Sequence, residues 1–229
     1  MPIYKMELIG DYLFATIGGE KWLVDTGCPM CIGNSPLVIE GRYILVVPSR
    51  SKGGFDPVHV SEQVGTRIVG FLGNDVLYPN GCCIDLRQGT LTLGLGESDG
   101  HPVPCHLERV MGQSVQILST QMAGQVSRLI FDTGAPLGYI RRSLTAGLQE
   151  SIGQRDDYIG STGQWHHTPV WALNIDLAGQ SKPFHWGILP EEVESRLFEG
   201  NLDGVFGGEL CRQAKVTITP GGQGLSLSF

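Results

Sequence analysis

Apolar positions in this chain fall in short runs broken by Gly, Pro and Asp, a spacing that predicts strands and turns. Two segments, CIDLRQGTLTLG (83–94) and KVTITPGGQGLSLSF (215–229), alternate apolar and polar residues on either side of a Gly-containing turn. Each predicts a hairpin. Two others open with Pro and turn amphipathic: PVHVSEQVG from Pro57 and PEEVESRLFEG from Pro190. Pro presets the backbone angle of a first helical turn, so both predict short helices. Glu191, Glu192 and Glu194 strengthen the second, because negative charge is favourable at a helix start. RRSLTAGLQESIG (141–153) is a further helical candidate, with Leu144 and Leu148 one turn apart. RDDYIGSTGQWHHTPVWALNI (155–175) reads as two strands around a turn.

The pattern runs twice. WLVDTGCPMC (22–31) is echoed by LIFDTGAPLG (129–138), and GFLGNDVL (70–77) by GVFGGELC (204–211). Strand, Asp-Thr-Gly, strands, short helix, Gly-apolar-apolar-Gly and hairpin follow in the same order each time. Internal duplication therefore predicts two lobes, 1–106 and 107–229. The copies differ between the Asp-Thr-Gly and the Pro-led helix. The second lobe is longer there and carries the segment around 155–175. At the corresponding place the first lobe has SRSKGGFDP (49–57), which predicts a turn in place of a full hairpin.

Composition narrows the class. With 229 residues, 41% hydrophobic and 17% charged, the chain has material for two small lobes with real cores. Its 33 Gly and 13 Pro suit a β-rich, turn-rich fold. A net charge of −7 without any basic run disfavours nucleic acid and anionic membrane as partners. No apolar stretch approaches a membrane span. MPIYKMELIGDYLF at the start lacks the pattern of a signal peptide, so a cytoplasmic location is expected. Six Cys are too few for a disulfide-built scaffold.

The doubled tripeptide carries the chemistry. An apolar strand delivers each Asp to the edge of the core, and Gly two residues on permits a tight turn. Two such turns facing each other would bring Asp25 and Asp132 together, where like charges cannot both ionise easily and one proton is shared. The aspartic-protease dyad is the standard example of that behaviour. Asp25-Thr26-Gly27 and Asp132-Thr133-Gly134, with their Gly-apolar-apolar-Gly partners, resemble pepsin-type and retropepsin-type aspartic proteases over nearly the whole chain. The chain looks like two retropepsin-sized lobes in tandem.

That resemblance implies a mainly β, bilobal acid-protease fold and an aspartic endopeptidase acting as a monomer on peptide or protein substrates. Asp25 and Asp132 would be catalytic, with Thr26, Gly27, Thr133 and Gly134 supporting them. No metal or cofactor is implied. The Gly73 and Gly207 blocks would pack beside the two turns. Tyr158, Gly160 and Trp165 lie on the extra second-lobe segment, either as a substrate-covering flap or as an ordinary surface hairpin. Pepsin-type enzymes usually have Ser or Thr after the tripeptide; here Cys28 and Ala135 stand there, of which Ala fits the retropepsin pattern. Without a hydroxyl donor there, the pair should titrate higher and work best at roughly pH 4.5–6.5.

Other readings come from the remaining residues. A non-catalytic peptide-binding module on the same fold is one alternative. Cys28-Pro-Met-Cys31 is a CxxC, compatible with redox or zinc chemistry if Cys82 and Cys83 come near, and otherwise with buried thiols or a disulfide. His166-His167 is expected to be a solvated pair, and Asp75 and Glu209, at matched positions, to be structural.

Overall fold

The computed structural model describes residues 1–49, 56–94, 100–160, 162–198 and 200–229. The turn expected at 49–57 lies largely outside them, at 50–55. Among the described residues an eleven-stranded sheet, an eight-stranded sheet and a two-stranded hairpin make the chain mainly β, in two lobes with short helices.

The duplication seen in sequence is a duplication of topology. In the first lobe, Glu20–Val24 pairs in parallel with Gly70–Leu72, which pairs antiparallel with Ile32–Gly33, itself parallel to Val47–Pro48. In the second, Gln125–Asp132 pairs in parallel with Gly204–Gly207, which pairs antiparallel with Gly138–Ile140, itself parallel to Gln180–Gly187. Gly70–Leu72, Gly138–Ile140 and Gly204–Gly207 are buried along their whole length. That is why they read as continuous apolar runs instead of alternating ones.

The two alternating segments do form hairpins, Cys82–Asp85 with Thr90–Leu93 and Lys215–Ile218 with Leu225–Ser228. The second of these leaves the eight-stranded sheet. Val216 to Ile218 pair with Cys82 to Ile84, so the chain's last strands complete the first sheet. One apolar cluster consequently runs through both lobes, from Leu13, Trp22 and Leu72 to Phe131, Trp186 and Phe206. Phe206 meets Phe184 edge-on at 4.8 Å between centroids and lies 5.2 Å from Trp186. Burying a ring of this size contributes about 1.5–3 kcal/mol by area alone.

Both Pro-led helices form. Pro57–Val64 begins with Pro in its first turn, is capped by Asp56 and ends at left-handed Gly65. In the second, Glu191–Leu197, Pro190 is the capping residue and not the first helical one. The helix expected over 141–153 shrinks to a single 3-10 turn, Arg142–Thr145. Gly147 lies at φ 88, a conformation no helix continues through. Leu144 and Leu148 still pack against the core, half-buried.

The length difference between the lobes has a definite form. Between the parallel-paired strands the first lobe has a small hairpin, Leu37–Ile39 with Arg42–Ile44. At the same place the second lobe has a long one, Gly153–Ile159 with Gln164–Leu177. Seven pairs, from Gly153 opposite Val170 to Ile159 opposite Gln164, carry it outward.

Candidate active site

Each Asp-Thr-Gly turn starts where a buried strand ends. Asp25 N–H donates to Leu72 O at 3.1 Å, and Asp132 sits opposite Gly207 in the parallel register. The turns close alike: Gly27 N–H donates to Asp25 Oδ1 and Gly134 N–H to Asp132 Oδ1, both at 2.9 Å. The threonines then cross between lobes. Thr26 N–H donates to Thr133 Oγ1 at 3.0 Å, and Thr133 N–H to Thr26 Oγ1 at 2.9 Å. Thr26 Oγ1 donates to Phe131 O at 3.0 Å, and Thr133 Oγ1 to Val24 O at 2.8 Å. Both hydroxyls thus donate and accept, and every one of these bonds spans the two lobes. Buried and fully satisfied, such a network fixes a single geometry.

Gly27 and Gly134 are required by contact, not by turn shape. A Cβ on Gly27 would lie 2.4 Å from the Asp132 carboxyl carbon, and one on Gly134 at 2.4 Å from that of Asp25. Each carboxylate therefore rests on the opposite turn, which brings the two side by side. Asp25 is 2% exposed and Asp132 half-buried. Burial, then the neighbouring Asp132, pushes Asp25 well above the usual carboxylate range. Burial also raises Asp132, against amide donation from Gly134. The pair is built to hold one proton in common.

The Gly-apolar-apolar-Gly blocks back the turns in matched fashion. Asn74 N–H donates to Cys28 O at 2.8 Å and Gly208 N–H to Ala135 O at 2.7 Å. Asn74 Nδ2 adds a bond to Thr26 O at 2.8 Å. The residues that follow the tripeptides give the dyad no hydroxyl. Ala135 has none, and the Cys28 thiol points its bond to Met30 O at 3.0 Å.

A cleft of about 360 Å³ opens above the dyad, lined by Asp25, Asp132 and apolar side chains from both lobes, Leu23 and Phe71 facing Ile130 and Leu189. Tyr158 and Gly160 line it too, so the tip of the long second-lobe hairpin borders the same cleft as the carboxylates. The small first-lobe hairpin contributes nothing to this lining. Trp165 is not brought in: it is 60% exposed and packs edge-on against Tyr158 at 5.9 Å.

The other sequence candidates fall elsewhere. All six cysteines are free; Cys31 donates from its amide and its thiol to Asp75 Oδ1, at 2.9 and 3.1 Å. Among the described residues no three His, Cys, Asp or Glu side chains cluster as metal ligands. His166 bonds Ile188 O at 2.8 Å, and His167 contacts Asp156 and Gln154. Glu209 ties His185 through its amide and ring, both at 2.8 Å.

One buried group escaped the sequence reading. Asp157, 2% exposed, accepts from Tyr12 Oη at 3.1 Å, from Tyr139 Oη and from Tyr158 N–H at 2.9 Å, and it lines the cleft. Burial raises its carboxyl while the tyrosine hydroxyls oppose the rise. The signal was available in the alternation of the strand: Asp157 and Ile159 share the inward face, and an inward carboxylate demands donors.

Two β lobes joined by a crossed pair of Asp-Thr-Gly turns define the acid-protease fold. The crystal structure of an aspartic proteinase from Irpex lacteus matches 99% of this chain and 96% of its own, with a TM-score of 0.57 and 12% sequence identity. At that identity the likeness establishes the fold. No family model and no curated protein matches the sequence.

Proposed function

We propose that this chain is an aspartic endopeptidase in which Asp25 and Asp132 activate a water against a peptide bond. The observation that carries the reading is a pair of carboxylates, buried Asp25 and half-buried Asp132, each resting on the opposite lobe's glycine and both lining one largely apolar cleft. With one proton between them, the ionised carboxylate draws a proton from water as its oxygen attacks the scissile carbonyl. The protonated partner donates to the carbonyl oxygen and stabilises the gem-diol as charge develops. Return of a proton to the departing nitrogen completes cleavage and restores the shared proton. Thr26 and Thr133 keep the carboxylates from moving apart, and Tyr158 and Gly160 cover the bound chain.

The test is digestion of a diverse peptide library in ¹⁸O-water, read by mass spectrometry. Direct attack by water places one solvent oxygen in each new carboxylate and forms no acyl-enzyme, so added amines are not acylated. A pure, folded protein that binds peptides without cutting any between about pH 3 and 8 would refute the reading in favour of a peptide-binding module.

A further inference from the structure

The long hairpin belongs to the second lobe, yet its outgoing strand is tied to the first lobe at three side chains. Arg155 meets Asp11 at 2.8 Å, Asp157 accepts the Tyr12 hydroxyl at 3.1 Å, and Tyr158 stacks on His59 with centroids 5.3 Å apart. These ties are unequal. Arg155 and Asp11 are each about one-third exposed, and Asp11 also serves Arg212, so water weakens that ion pair. The His59 side chain is half exposed. Asp157 alone is buried, and its oxygens are shared between Tyr12 from one lobe and Tyr139 from the other.

A bond from a neutral donor to a buried carboxylate is stronger than one between neutral groups. Tyr12 Oη also lies 3.1 Å from Gln63 Oε1, but its single proton goes to the better acceptor, the carboxylate. The ring of Tyr12 is packed with Phe14, Leu23, Val60 and Phe71, so the donor is held by the first lobe's own core. Lifting the hairpin requires this bond to break.

We propose that Asp157 is a positioning residue: by accepting the first-lobe Tyr12 hydroxyl it clamps the second-lobe hairpin across the cleft and sets the height of the channel over Asp25 and Asp132. The proposal deepens the endopeptidase reading, but the clamp is a property of the free protein and can be measured without turnover.

Tyr12→Phe removes the cross-lobe hydroxyl and keeps the ring. Tyr139→Phe removes the donor on the hairpin's own lobe and leaves the cross-lobe bond. Hydrogen exchange of the free full-length protein, followed by mass spectrometry, compares both with wild type. In Tyr12→Phe, amides of 154–168 should exchange faster by on the order of tenfold to a hundredfold, with Gln113–Met122 and Gln125–Asp132 unchanged. Tyr139→Phe should loosen the hairpin less. Unaltered exchange of 154–168 in Tyr12→Phe, or equal loosening of every segment, would overturn the clamp. Asp157→Asn, nearly isosteric, should reproduce Tyr12→Phe, and Tyr12→Phe with Asp157→Asn together should add little. In peptide cleavage the clamp predicts a raised KM for Tyr12→Phe with kcat largely kept. A wild type that cleaves nothing would refute the endopeptidase reading and leave the exchange result to judge the clamp.

Discussion

Burial raises both Asp25 and Asp132, joined at Asp25 by the charge of its neighbour, and the sign of the effect on stability follows. Both folded-state values lie above those of a free carboxylate, so the folded state holds a proton that the unfolded chain releases earlier. The stability this lends is fully present below the unfolded pKa and is lost as pH rises through the raised one. Asp25→Asn cannot ionise and escapes that loss. Its melting temperature should match wild type near pH 3.5 and exceed it near pH 7. Thermal melts at the two pH values check this, and a variant less stable than wild type at neutral pH would contradict it. The neighbours bear on activity. Neither Cys28 nor Ala135 offers a hydroxyl to the ionised form, so the acidic limb should stand high and the optimum at roughly pH 4.5–6.5. Adding a donor with Ala135→Thr should move the acidic limb of kcat/KM downward; a well-folded variant with an unmoved limb would contradict this. The dyad was legible in sequence because its chemistry sits in two local tripeptides. The inward face of Asp157 was readable from strand alternation, but its first-lobe partner Tyr12 was not, lying 145 positions away with no local pattern to join them.

At the scale of elements, the hairpin of 153–177 borders the cleft, and in the proposed function it covers the substrate. Removing 160–163 and rejoining the strands with a two-residue turn should raise KM at least tenfold with little change in melting temperature. Steady-state cleavage kinetics check it, and unchanged KM would mean that the hairpin does not cover substrate. Trp165 packs on the covering Tyr158 without lining the cleft, so Trp165→Ala should have a smaller effect, within a fewfold. The hairpin's existence was readable from alternation and from the extra length of the second lobe. Its reach was not, because crossing to His59 and Tyr12 is a matter of tertiary packing. The 141–153 segment shows the opposite failure. Two leucines at helical spacing suggested a helix, but both find the core from a single turn and an irregular strand, with Gly147 breaking the path.

For the molecule as a whole, duplication gives two copies of one topology, and three of the features that join them stand out. The threonines cross at the dyad, the last hairpin completes the first sheet, and Asp157 spans to Tyr12. Only the first of these could be anticipated from the repeat. That Lys215–Ile218 pairs with Cys82–Asp85 depends on which sheet edge lies open, which alternation alone does not encode. The site exists only where the lobes meet, so in the proposed function neither carboxylate acts without the other.

That dependence gives the central claim its most direct measurement: peptide cleavage by wild type beside Asp25→Asn and Asp132→Asn, each verified as folded. Asn retains the shape and the acceptor for the Gly27 or Gly134 amide but cannot share the proton. Residues acting as one unit lose most of their effect when either is removed. Each single variant should lose at least about 1,000-fold in kcat/KM, and the double variant should be scarcely worse than either. Near-wild-type cleavage by either folded single variant would contradict it.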